Sequence, residues 1–409
     1  MNIAVTPFTP EFAPVLPEAY QTKRAIYFDI ETTGLSAQSS YVYLIGCANE
    51  EAEGYVLTQW LCTDPSEEKE LLRLFFEKVK DYDVVLHYNG TGFDLPFLEK
   101  KAKRHCLQNP LSSMESLDLY ATARSLKHLF DLPNLKLKTM EQFFGFTRTD
   151  VFSGGDLIEV YAQFLGLHHL NSLTNRSKAE EENALAQVLL LHNAEDIMNL
   201  PALTVLCFLQ NLSSELTPER LYRTPSASCS EYPKLAEALS KITLTSVACS
   251  VEYQLPFTLP RTCKFAIPFD GRDILLTLSV DGSVMLLLPT VTGELKYFHP
   301  NPADYYYLPL EDCAMHKSVA SFVEKEYRQK ATAATCYTKK TGTFVPLRLL
   351  SPAKKSGAAD NTKKEAQTSL PCFLSDYKSK YAYTPFTEEL RSEAVLLTVL
   401  AKELLDTLL

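Results

Sequence analysis

Two acidic side chains stand one residue apart in an otherwise apolar stretch, Ile26-Tyr27-Phe28-Asp29-Ile30-Glu31-Thr32-Thr33-Gly34. In a strand, alternate side chains point to opposite faces. Asp29 and Glu31, with Tyr27, therefore share one face, and Ile26, Phe28 and Ile30 take the other. Two carboxylates about 7 Å apart on a central strand repel each other and lose hydration, and a divalent cation between them removes both penalties. A strand end facing solvent is the plainer alternative for this segment taken alone.

A second acid, Asp94, stands in His87-Tyr88-Asn89-Gly90-Thr91-Gly92-Phe93-Asp94-Leu95-Pro96. Asn89, Gly90 and Gly92 make a tight turn there, and Pro96 falls in the first turn of a helix. By itself Asp94 also reads as a helix N-cap. The last acid is Asp196, in Leu191-His192-Asn193-Ala194-Glu195-Asp196-Ile197. If that helix is continuous, His192 and Asp196 lie one turn apart on one face, as a surface pair would too. Oxygen donors without cysteine suit Mg²⁺ or Mn²⁺ better than Zn²⁺. His192 has the chemistry to take a proton from a water or to orient it.

The elements that must position these residues follow from periodicity. Residues 25–31, 41–48, 55–61 and 83–88 read as strands. Asp64-Pro65-Ser66-Glu67 supplies an N-cap, a first-turn proline and an acid ahead of the apolar pattern Leu71, Leu72, Phe75, Phe76, Val79. Helices are expected over 94–106, 117–130, 155–165 and 179–191, giving an α/β fold with a mixed sheet. Beyond Arg220, residues 243–251, 274–280, 284–288 and 293–298 look extended, with Asp281-Gly282-Ser283 as a hairpin turn. A helix is expected over 314–327. An amphipathic helix over 387–409 has Leu390, Ala394, Leu397, Ala401, Leu404 and Leu408 on one face. The expected plan is a lead-in at 1–22, a first domain at 23–210, a linker at 211–235, and a smaller α+β C-terminal domain at 236–409 with a mobile loop at 351–369.

The 409 residues, 46% hydrophobic, carry 40 basic and 50 acidic side chains for a net charge of −10, which excludes coiled coil, collagen and wholesale disorder. No run approaches the roughly 18 apolar residues of a membrane span, so the chain is expected to be cytoplasmic and free of membranes. Ten scattered cysteines suit reduced thiols. Residues 1–210 carry 17 basic against 28 acidic side chains, and residues 211–409 carry 23 against 22. Within the acidic half, residues 100–138 hold eight basic side chains (Lys100, Lys101, Lys103, Arg104, Arg124, Lys127, Lys136 and Lys138) and three acids. That run suits either a phosphate track or two solvated helix faces. Tyr88 and Phe93 beside the turn suit base stacking or core packing.

Taken together, the four acids and the histidine resemble the DEDD exonuclease superfamily of the RNase H-like fold. Its first motif resembles Phe28-Asp29-Ile30-Glu31-Thr32-Thr33-Gly34, and its second resembles Asn89 with Phe93-Asp94. More narrowly, Asp118-Leu119-Tyr120, Leu135-Lys136-Leu137-Lys138-Thr139-Met140-Glu141, Phe143-Phe144-Gly145-Phe146 and Ser153-Gly154-Gly155 are similar to the YprB-type ribonuclease H-like domain. The resemblance covers about residues 22–210. It implies an RNase H-like fold with a mixed central sheet flanked by helices, and a metal-dependent 3′–5′ exonuclease that hydrolyses phosphodiesters with two Mg²⁺ or Mn²⁺ ions. By the same resemblance Asp29 bridges both ions, Glu31 and Asp196 hold the ion carrying the attacking water, Asp94 completes the other, and His192 is the base. Tyr88, Asn89, Phe93, Lys136 and Lys138 would contact the single-stranded 3′ end, DNA or RNA, and Asp118 would support the site from behind or be structural. One departure is in the sequence: family members with a catalytic histidine place it five residues before the last Asp, whereas His192 is four before Asp196, the spacing of members with tyrosine. Two other readings are an endonuclease acting on RNA in a hybrid duplex and a catalytically idle nucleic-acid-binding module. The second half is expected to position the strand or recruit a protein partner.

Overall fold

The computed structural model describes residues 1–173, 178–223, 227–228, 248–255, 258–350 and 370–409, which form two units, Met1–Asn211 and Leu212–Leu409. In the first unit the apolar strand bearing Asp29 and Glu31 is β2 of a series β1 (Asn2–Phe8), β2 (Ala25–Thr32), β3 (Val42–Glu51), β4 (Gly54–Leu61), β5 (Val84–His87) and β6 (Glu115–Asp118). Its helices are α1 (Glu18–Gln21), α2 (Glu68–Val79), α3 (Asp94–His105), α4 (Leu119–Ser125), α5 (Leu137–Phe144), α6 (Gly154–Leu173), α7 (Ala179–Met198), α8 (Leu200–Leu203) and α9 (Val205–Gln210). The sheet runs β1-β4-β3-β2-β5-β6, antiparallel from β1 to β2 and parallel from β2 to β6. This is the mixed, helix-flanked RNase H-like architecture that the motifs imply. The acidic strand is internal, with a neighbour on each side.

Strand alternation divides β2 as expected. Phe28 packs its ring 5.5 Å from that of Phe75 on α2, and Ile26, Phe28 and Ile30 join one buried core. Asp29 faces α7. It pairs across the sheet with Gly46 and through it with Gln59, all on that face. Gln59 donates to the Leu190 carbonyl (2.8 Å) and to Asn193 Oδ1 (2.9 Å), and Asn193 Nδ2 donates to Asp29 Oδ2 (3.2 Å). The helix lies so close that a Cβ on Gly46 would sit 2.2 Å from Asn193 Oδ1 and 2.4 Å from Ile197 Cδ1. We expect Gly46→Ala to cost about 1–3 kcal/mol through overpacking, read as a lower urea midpoint at unchanged m. A midpoint equal to wild type would show that α7 is free to lift off β3.

Local chemistry sets the ends of these elements. Asp64 accepts the Ser66 amide (2.8 Å) and Glu67 reaches back to the Asp64 amide (3.3 Å), a capping box on the turn that leads into α2. The expected helix over 117–130 is instead β6 followed by α4. Asp118 is the α4 N-cap, accepting the amides of Tyr120 (3.0 Å) and Ala121 (3.3 Å), and its backbone is extended, so the helix cannot start earlier. The lead-in at 1–22 also differs from expectation: residues Asn2–Phe8 are a strand that pairs with β4 along its whole length.

The second unit is mainly antiparallel sheet. Its elements are α10 (Leu212–Glu215), β7 (Leu221–Arg223), β8 (Ala227–Ser228), β9 (Ala248–Gln254), β10 (Cys263–Phe269), β11 (Arg272–Leu278), β12 (Ser283–Pro289), β13 (Val291–Phe298), β14 (Tyr305–Leu308), β15 (Cys313–His316), α11 (Lys317–Ala320), β16 (Gln329–Lys330), β17 (Tyr337–Leu349), β18 (Tyr381–Pro385), α12 (Glu388–Ser392) and α13 (Ala394–Leu408). Strands β10-β11-β12-β9-β7 form one sheet, with β8 on β9, and β13-β17-β18 and β15-β14-β16 form two more. The expected hairpin at Asp281-Gly282-Ser283 is present. Residues 212–223 of the expected linker carry short elements, and its residues 224–226 and 229–235, like the expected loop 351–369, lie outside the described residues.

Two expected helices in this unit are corrected. Residues 314–327 are not one helix: Cys313–His316 pairs with the aromatic strand Tyr305–Leu308, leaving one turn at α11, capped by the His316 ring. The C-terminal helix is broken at Glu393, whose extended backbone separates α12 from α13. Leu397, Ala401, Leu404 and Leu408 are buried as the periodicity requires. Among the described residues no helix is long and apolar enough to cross a membrane, and the nine described cysteines are free thiols.

Candidate metal centre

Four acids from three elements converge beside the C-terminal end of β2. Asp29 and Glu31 come from β2, Asp94 from the first residue of α3, and Asp196 from the last turns of α7. Asp94 is brought in by the turn at residues 88–93, which Asp118 holds by accepting the amides of Asn89 (2.9 Å) and Thr91 (3.2 Å). Asn89 sits at φ 66°, a left-handed conformation asparagine tolerates. His87 beneath the turn accepts the Gly90 amide at Nδ1 (3.0 Å), leaving Nε2 to donate to Ser116 Oγ (2.7 Å). Burial pushes its imidazole down to about 4, so it stays neutral. A Cβ on Gly90 would strike that ring at 2.6 Å, which is why the turn needs glycine there.

The carboxyls share one electrostatic field. Burial, then Asp94, Asp196 and Glu31, hold Asp29 well above the usual carboxylate range. Burial, then Asp196 and Asp94, do the same to Glu31. Asp94 is raised to about 7, mostly by burial, against the backbone amides of Asp94 itself and Ile30 that pull it down. The nearby cations are shared between the cluster and neighbouring acids. Arg148 pairs with Asp196 Oδ1 and with Glu141 (2.7 Å), and Lys138 pairs with Asp150 (2.7 Å) and the Phe152 carbonyl (2.5 Å). An anionic cluster of hard oxygens, in which only Asp196 has an arginine partner, is chemically fitted to divalent cations. One donor atom each from Glu31, His192 and Asp196 lie within 4.8 Å of one another.

The structure brings His192 and Asp196 together on one face of α7, with His192 Nε2 3.4 Å from Asp196 Oδ2 and 3.6 Å from Glu31 Oε1. Its other nitrogen, Nδ1, is 2.8 Å from Asp150 Oδ2. Asp150 belongs to a loop that sequence reasoning did not single out. Burial would raise its carboxyl, but hydrogen bonds from Lys138, the Phe152 amide and His192 outweigh that and hold it below the ordinary value. The loop is stitched to α7 by Glu195, which accepts the amides of Thr149 (2.8 Å) and Asp150 (2.9 Å). Arg148 and Asp150 lie between helices in a segment without periodicity, and only these long-range pairings reveal them.

The residues expected to meet a strand divide. Asn89 and Lys136 are exposed, and Tyr88 and Phe93 are half-buried. Tyr88 donates its hydroxyl to the Leu135 carbonyl (2.5 Å), and Phe93 packs 5.4 Å from Phe97. Lys138 is exposed as well, with its ammonium paired to Asp150. The basic run at 100–138 is also less free than its count suggests: Lys101 is 1% exposed and paired with Glu68 (2.9 Å), Lys103 pairs with Glu99 (2.9 Å), and Arg104 donates to the Gln38 carbonyl (3.2 Å).

Residues 26–207 match a family model described as the RNase H superfamily. Over 105 residues the chain is 32% identical to a DNA polymerase of Pyrococcus glycovorans, a match covering 23% of this chain and only 13% of the polymerase. Among solved structures, the family B DNA polymerase of Pyrobaculum calidifontis superposes over 47% of this chain and 25% of its own, with a TM-score of 0.34 and 17% identity. Exonuclease I of E. coli in complex with a dA16 oligonucleotide does so over 37% and 41%, with a TM-score of 0.27 and 15% identity. Over residues 26–207 the chain is therefore similar to the RNase H superfamily, in keeping with the YprB-type motifs of its sequence.

Proposed function

We propose that the first unit is a metal-dependent 3′–5′ exonuclease acting on single-stranded DNA or RNA. The observation that supports this best is the convergence of Asp29, Glu31, Asp94 and Asp196, from three separate elements, into one acidic cluster. These four side chains would hold two Mg²⁺ or Mn²⁺ ions, which when bound supply a nucleophilic water and stabilise the charge that develops on the phosphate. Around them Asn193 fixes the Asp29 carboxylate and Arg148 fixes Asp196. Asn89, Lys136 and the rims of Tyr88 and Phe93 are the side chains we assign to the strand, through phosphate contacts and base stacking. An oligonucleotide such as the dA16 held by E. coli exonuclease I is a suitable first substrate.

In the second unit, Tyr306 lies beneath the cations of Arg328 (4.8 Å) and Lys317 (5.5 Å), a surface suited to positioning a strand or a partner. The test of the proposed activity is a time course on 5′-labelled single-stranded DNA and RNA with Mn²⁺ or Mg²⁺. A ladder shortening from the 3′ end is the expected result. Internal fragments would indicate an endonuclease, and tight binding with intact strands would indicate an idle module.

A further inference from the structure

We propose that His192 is itself a metal ligand: its Nε2, with one carboxylate oxygen each from Glu31 and Asp196, forms a three-donor site that takes Mn²⁺ in preference to Mg²⁺, with Asp150 aiming the imidazole. This rests on the carboxylate cluster being a cation site. It goes further by giving the histidine a place in the coordination shell in place of a base's role.

Nε2 stands 3.4 Å from Asp196 Oδ2 and 3.6 Å from Glu31 Oε1, both longer than an ordinary hydrogen bond. They are close to the spacing of atoms that share an ion: donors bonded at about 2.1 Å lie about 3.0 Å apart in adjacent octahedral positions and about 3.4 Å apart in a tetrahedron. The ring is 3% exposed, so Nε2 is a buried donor aimed at two carboxylates. Nδ1 cannot serve in its place. It lies 2.8 Å from Asp150 Oδ2, and Asp150, paired with Lys138, is an acceptor, so Nδ1 carries the proton and Nε2 presents its lone pair inward. A carboxylate behind the far nitrogen is the usual support of a metal-bound imidazole. Arg148 takes Asp196 Oδ1 and leaves Oδ2 for the shared position.

The spacing of the motif has the same meaning. Four residues along a helix turn about 40° and advance about 6 Å, placing both side chains on one face, whereas five residues turn about 140°. His192 and Asp196 can therefore reach one ion from a single helix. A ligated Nε2 has no lone pair left to accept a proton from water. An imidazole in the shell shifts preference from Mg²⁺, which favours oxygen, toward Mn²⁺ and later metals.

The probe is Mn²⁺ alone, bound to the full chain and read by pulsed electron paramagnetic resonance on natural-abundance and ¹⁵N-histidine protein. The expected result is a nitrogen coupling of direct coordination in wild type that is lost in His192→Gln. His192→Gln should weaken Mn²⁺ at least tenfold while changing Mg²⁺ less than threefold, and Asp150→Asn should weaken Mn²⁺ about tenfold with His192 in place. Mn²⁺ bound without nitrogen coupling, or bound equally by His192→Gln, overturns the ligand assignment and leaves the carboxylate site standing. No Mn²⁺ binding by wild type overturns both. The wild-type spectrum needs no variant to fold, and thermal unfolding of each variant checks the rest.

Discussion

Replacing Asp29 by asparagine is expected to slow strand shortening by about a thousandfold or more, and at the same time to raise the unfolding temperature of the metal-free protein near pH 8. The first effect follows from losing a carboxylate that shares its field with Glu31, Asp94 and Asp196. A factor of a thousand is about 4 kcal/mol of transition-state stabilisation, within what a bound metal supplies. The second has the opposite sign because the wild-type carboxyl is buried and crowded by those same three acids. The neutral amide keeps its shape, accepts the same hydrogen bond from Asn193 and removes the repulsion. Lost activity with gained stability is a combination that misfolding cannot produce. A variant that degrades strands like wild type, or one that unfolds earlier, would remove Asp29 from the proposed catalytic centre.

Without divalent metal, the stability of the first unit is expected to fall as pH rises from about 5 to 8, and Mn²⁺ added at the upper pH should restore it. Asp94 is raised to about 7, mostly by burial, and Asp29 and Glu31 are also well above their ordinary values. The folded state therefore keeps protons that the unfolded chain has released. Such groups contribute stability that is full below the unfolded pKa and is lost as pH climbs through the folded value. For Asp94 alone, the rise to about 7 sets an upper bound on the order of 4 kcal/mol. At about 2–4 °C per kcal/mol for a unit of this size, the shift is large enough for calorimetry to resolve. A melting temperature that is flat or rising over this range would mean that the cluster does not hold those protons.

The sequence carried the carboxylate face of β2 in plain form, because strand alternation depends only on neighbouring residues. The same is true of the Asp64 capping box and the Asp281-Gly282-Ser283 hairpin. Where a residue's partner lies far along the chain, local pattern misled. The helical reading of 117–130 overlooked that Ser116 and Leu117 pair in parallel with Val85 and Leu86, so that Asp118 ends a strand and caps a helix. Residues 314–316 were drawn into a strand by the three tyrosines at 305–307. Lys138 counted toward a basic track, and its partner Asp150 shows it to be part of the site's support. Arg148, Asp150 and Asn193 act through contacts 42 to 164 residues away in sequence. No periodicity encodes such pairings.

Strand β1 decides how the domain can be handled. Its seven residues pair with β4 from Asn2 opposite Leu61 to Phe8 opposite Tyr55, yet they precede residue 26, where the family match begins. A version trimmed to that match would turn β4 into an open border of unpaired amides and carbonyls, a template for self-association. Such a fragment should form oligomers seen by light scattering even with Asp29, Glu31, Asp94 and Asp196 intact. Its inactivity would then report on a missing border strand and say nothing about the chemistry.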